Sequence, residues 1–164
     1  MQDRLARMYS EALCRLNDAD ILASSLAAQS DSQAIIRILA FEVLLKAACL
    51  AAGVEPPRTH NYSNIWNSLP KSVQDEVLAF ARDRMAGHTD FADLGSILAD
   101  YKFAFERARY YYELYENVSL EEQRRLGEEW ERRGALEQEA AVRYHPLELQ
   151  CLTEGLIAYV ERAV

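Results

Sequence analysis

An all-α fold, an up-and-down bundle of four long helices with one or two additional C-terminal helices, follows from three properties of this 164-residue sequence. Half of the residues are apolar, only six are glycine and four proline, and the helix formers Ala, Leu, Glu and Arg dominate. Apolar side chains recur at three- and four-residue spacing over long stretches, and no run alternates with period two between turn signals. A chain of this length buries roughly 70% of its unfolded surface. One domain is therefore expected, with a core over about 5–117 and a charged helical extension over 119–164.

The first helix is expected from about Asp3 to Ala28, on the stripe Leu5, Met8/Tyr9, Ala12/Leu13, Leu16, Ala19, Leu22/Ala23 and Leu26. Ser30 and Gln33 form a capping-box pattern for a second helix that ends at Gly53, ahead of Pro56 and Pro57. This helix is apolar almost all round, which marks it as the central one. A loop with His60 leads to a short turn around Ile65 and Trp66. Pro70 then opens a third helix through Val73, Val77, Phe80, Ala81 and Met85, closed by Gly87. Asp93 caps a fourth long helix whose inner face is Leu94, Ile97/Leu98, Tyr101, Phe105, Ala108 and Tyr112. Ser119 and Glu122 open a strongly charged helix anchored by Trp130 and broken near Gly134. A further piece runs to His145, and Pro146 starts a last amphipathic helix through Leu149, Leu152, Leu156 and Val160. The C-terminal helices are expected to pack at the side of the bundle.

The net charge of −8 argues against a broad basic surface for nucleic acid, though it permits a local basic cleft. Residues 113–139 hold nine acids and four bases, so most of the negative charge belongs to one solvated segment. Cys14, Cys49 and Cys151 lie far apart in apolar stretches, the pattern of buried free thiols in a reducing cytosol, so a cytoplasmic location is expected. The polar N-terminus lacks the apolar core of a signal peptide. The greasiest run, Ala34 to Ala52, is interrupted by Arg37, Glu42 and Lys46, so no membrane span is expected. The three histidines, His60, His88 and His145, have no metal-ligand spacing, and there is no phosphate loop or nucleophile elbow. Neither a metal nor any other cofactor is expected.

Two segments carry charge inside otherwise core-like sequence: Phe41-Glu42-Val43-Leu44-Leu45-Lys46-Ala47, and Phe103 to Glu113 with Arg109. Glu42 and Lys46 are spaced for a helix-surface ion pair, as are Arg109 and Glu113 in reverse order. On a central helix, however, Glu42 and Lys46 need partners from other elements, because an unpaired charge there is costly. They form either a structural polar network or the wall of a functional cleft. The tyrosines 101, 110, 111, 112 and 115 crowd one helix, where they serve a core and dimer interface or stack on bases.

Glu42 to Ala47, Gly53, His60, the Leu69-Pro70 pair and Phe105-x-x-x-Arg109-Tyr110-x-Tyr112-Glu113 together resemble the HEPN superfamily of small helical domains, over about residues 5–117. The resemblance implies an up-and-down bundle that commonly dimerises, is often encoded beside defence or toxin-antitoxin partners, and in many members is a metal-independent endoribonuclease. The nuclease branch of that family uses an Arg, a polar residue and, after a short interval, a His. A neutral imidazole takes the proton from a ribose 2′-hydroxyl and a guanidinium stabilises the phosphorane. Arg82 and His88 match that spacing, but Gly87 is a helix stop between them and the pair lies upstream of Arg109, where the resemblance sets the motif arginine. No histidine follows Arg109 at the required interval.

The resulting expectation is a homodimeric HEPN-like domain that binds RNA, a nucleotide or a neighbour-encoded protein through Glu42, Lys46, Arg109, Tyr110 and Glu113. The alternatives are a metal-independent endoribonuclease using Arg82 with His88, or Arg109 with His60 supplied through the fold, and an antitoxin-type subunit that docks a basic partner through 113–139.

Overall fold

The computed structural model describes residues 2–25, 32–107 and 110–164. The secondary structure of those residues is all helical: α1 (Gln2–Ser25), α2 (Ser32–Ala51), α3 (Tyr62–Ser68), α4 (Lys71–Arg84), α5 (Leu94–Arg107), the single-turn α6 (Tyr111–Leu114), α7 (Leu120–Arg132) and α8 (Pro146–Glu161), with a 3-10 turn at Glu137–Glu139. Among them there is no strand, and no helix is long and apolar enough to cross a membrane.

Helix α2 is buried on nearly every side, as its all-round apolar composition requires. It packs along α1 on one side, against α8 on another, and against α3 and α5 on a third. Its C-terminus turns in the left-handed conformation at Gly53 (φ 75°), with Val54 N–H donating to the Cys49 carbonyl at 2.8 Å. On α1 the inward stripe is Leu5, Ala12 and Ala19, with Met8, Tyr9 and Leu16 half-buried beside them. The expected extension of α1 to Ala28 and the Ser30 half of the capping box lie outside the described residues.

Four features differ from the sequence reading. The Ile65–Trp66 segment is a seven-residue helix, capped by the Asn61 side chain, which accepts from Asn64 N–H at 3.0 Å. Helix α8 is not at the side: Leu149, Leu152, Leu156 and Val160 join the main core, and α8 packs against both α2 and α4. This is possible because Gly155 removes a side chain where α8 meets α4. A Cβ there would lie 3.1 Å from the Val77 carbonyl oxygen and 3.2 Å from Val77 Cγ1. The fourth long helix is described as far as Arg107, Ala108 lies outside the described residues, and Tyr112, expected inside, sits on α6 at 72% exposure. Cys14 lies on the outer face of α1 and is exposed, while Cys49 and Cys151 are buried free thiols.

The remaining boundaries follow from local chemistry. Asp93 accepts from Ser96 N–H at 3.0 Å to cap α5, Ser119 accepts from Glu122 N–H at 3.1 Å to cap α7, and Pro146 occupies the first turn of α8. Gly87 (φ 82°) and Gly134 (φ 95°) follow the ends of α4 and α7.

Candidate functional site

Glu42 is one of only two polar residues buried in the described core, with 4% of its side chain exposed. The carboxylate is satisfied from two directions. Lys46 Nζ, one turn along α2, approaches to 2.7 Å, and His60 Nδ1, from the loop between α2 and α3, lies 3.1 and 3.0 Å from the two carboxylate oxygens. A carboxylate that is ionised only accepts hydrogen bonds, so Nδ1 is the donor in this contact, and the tautomer that supplies that proton leaves the Nε2 lone pair outward. The His60 side chain is 60% exposed, and Nε2 has no hydrogen-bond partner among the described residues. A buried acid therefore orients an imidazole that solvent reaches.

The loop that presents His60 is fixed on both sides. Thr59 Oγ1 accepts from Asn61 N–H at 3.0 Å, and Asn61 in turn caps α3. From α5, the Phe105 ring lies 5.3 Å from the imidazole, tilted by 33°. Beneath them, Phe41, Tyr62 and Tyr101 form a cluster across α2, α3 and α5, with ring centroids 5.6 to 6.5 Å apart. The Tyr62 hydroxyl is buried with no partner in hydrogen-bond geometry among the described residues. Burial, and then the neighbouring Glu42 charge, push its phenol far above the ordinary tyrosine range.

Chemically, the arrangement offers an imidazole nitrogen that is free among the described residues as base, a carboxylate to hold the ring and stabilise its protonated form, a Lys46 ammonium paired with Glu42 on a side chain 21% exposed, and an aromatic wall at Phe105. Among the described residues no group of three or more His, Cys, Asp or Glu side chains gathers as a metal site.

The other residues singled out from sequence are distributed differently. Arg109 lies outside the described residues, so its relation to Glu42 does too. Glu113 is paired with Arg107 at 3.7 Å on the surface, and Tyr110 is exposed, edge-on to Tyr112 at 6.4 Å. Arg82 is exposed on α4 and His88 is exposed beyond Gly87, and neither side chain makes a hydrogen bond or ion pair among the described residues. The sequence reading had Glu42 answering Lys46 and Arg109, and it missed the contact between Glu42 and His60. Its only signal was that a carboxylate in an apolar helix must find donors elsewhere.

His145 is the second histidine with defined partners. Its Nε2 lies 2.9 Å from Asp100 and its Nδ1 3.4 Å from Glu137, while its backbone N–H donates to Glu137 at 2.9 Å and its carbonyl accepts from Tyr101 OH at 3.3 Å. Held at φ 42°, it clasps the start of α8 to α5, a structural role. Compared with known proteins, the chain matches no family model, no curated protein and no solved structure.

Proposed function

We propose that the chain is a HEPN-like helical domain that binds single-stranded RNA or a nucleotide beside Glu42, Lys46, His60 and Phe105. The observation that carries this reading is the exposed His60 imidazole held through Nδ1 by a buried carboxylate, an expenditure of core polarity that favours a ligand site. Lys46, although paired with Glu42, and the exposed Arg58 bring positive charge close to His60 in space or in sequence, while Lys102 and Arg107 on α5 are paired with Glu106 and Glu113. Contact with a phosphate would therefore be local, the chain as a whole being acidic. Phe105 and the imidazole provide surfaces on which a base stacks.

The free Nε2 favours a second reading of the same site, metal-independent cleavage in which His60 takes the 2′-hydroxyl proton and a cation beside it stabilises the phosphorane. Fluorescence anisotropy with a labelled single-stranded RNA in EDTA tests both. Binding that weakens at least fivefold in His60→Ala and Lys46→Met, with helical circular dichroism unchanged, supports the site. RNA cleavage in EDTA that disappears in His60→Ala supports the catalytic reading. Pure protein that neither binds nor cuts RNA or nucleotides overturns both.

A further inference from the structure

Helix α7 is the most sharply two-faced helix of the chain, yet none of its residues is buried and it has no extensive packing against another helix. A 13-residue helix is marginal in water by itself, because most helical stability comes from burial of an apolar face. Leu120, Gln123, Gly127 and Trp130 follow one another at three- and four-residue spacing, and Leu126 lies beside Trp130 on the same side. Leu120 is 85% and Leu126 43% exposed. Gly127, in the middle of this stripe, has nothing within 4 Å of where a Cβ would stand, so no neighbour among the described residues accounts for a helix-interior glycine that costs about 1 kcal/mol in propensity.

We propose that this face is covered by α7 of a second copy of the chain, the two helices crossing antiparallel about a twofold axis near Gly127. The charges flanking the stripe select that partner and that direction. One edge carries Glu122 and Arg133, the other Arg124 and Glu131. Reversing one helix against the other sets Glu122 opposite Arg133 of its copy and Arg124 opposite Glu131, and the twofold axis repeats each pair. Their present contacts compete weakly: Glu122 with Arg125 and Arg124 with Glu128 both stand at 3.7 Å on the open surface, and Arg133 reaches Glu139 at 3.2 Å. The absent side chain at Gly127 lets the two axes approach closely at the crossing. Each helix is only about 20 Å long, so the interface is small and the dimer is expected to be reversible.

Sedimentation velocity of the full chain over a range of concentrations, with two charge-conserving double variants, tests this. One variant is Glu122→Arg with Arg124→Glu; the other is Glu131→Arg with Arg133→Glu. Each sets like charges against each other in its own homodimer, and the dissociation constant is expected to rise at least tenfold with helicity unchanged. An equimolar mixture of the two variants, in which every pair is again opposite in sign, is expected to recover association to within threefold of the unmodified chain. A chain that stays monomeric, which would leave α7 to a different protein, overturns the proposal. So does a dimer indifferent to either variant, or a mixture that fails to recover.

Discussion

The Glu42 carboxylate and the His60 imidazole meet at 3.0 Å, one buried in the central helix and the other at the surface. This contact joins the core to the candidate site, so the two respond together to changes at Glu42.

Replacing Glu42 by Ala strands Lys46 beside an apolar interior and releases the surface His60, and is expected to cost about 2–3 kcal/mol in urea denaturation. Glu42→Gln keeps an acceptor toward His60 and is expected to cost about 1 kcal/mol. Equal losses in the two variants would show that a neutral acceptor toward His60 contributes nothing to the fold.

Tyr62 and Tyr101 give the protein an alkaline limit. Burial raises both phenols well above their ordinary value, aided at Tyr62 by Glu42 and at Tyr101 by Glu148 and Glu137. A group whose pKa is raised on folding binds its proton more tightly in the native state. Its stabilisation is therefore complete below the unfolded pKa of about 10 and is lost as pH climbs above it. In a titration followed at 295 nm, two of the nine tyrosines are expected to ionise only together with the loss of helical circular dichroism. Ionisation of all nine in a chain that is still folded would refute this.

Gly155 sets the distance between α4 and α8. In an open helix Gly→Ala gains about 1 kcal/mol of propensity. Here the new methyl group would press on the Val77 carbonyl oxygen and Val77 Cγ1, in a neighbouring helix that cannot yield without moving its backbone. Gly155→Ala is expected to lower stability by about 1–2 kcal/mol. A higher thermal midpoint in this variant would contradict the close approach.

Much of the helical framework was legible because it rests on short-range rules. The all-round apolar character of 34–52 identified α2 as central, and Asp93, Ser119 and Pro146 marked helix starts by their own side-chain chemistry. The misreadings arose where a distant contact decides. Seven residues at 62–68 are too few to display helical periodicity, and α3 is defined by its Asn61 cap and by burial of Ile65 and Trp66. The core place of α8 depends on a glycine opposite Val77, 78 positions earlier in the chain, which no local pattern reveals. In the candidate site, Glu42 and Lys46 announced themselves as charges in greasy sequence. The third member, His60, is brought to them by a loop whose path is set by Thr59 and Asn61 hydrogen bonds.

The three thiols divide the molecule into one accessible position and two sheltered ones. Cys14 stands on the outer face of the first helix, whereas Cys49 and Cys151 are enclosed by helices and burial pushes both thiols up, suppressing the reactive thiolate. An alkylating reagent therefore reads the fold by stoichiometry: a single adduct reports the closed form, and the second and third appear only as fast as the interior opens.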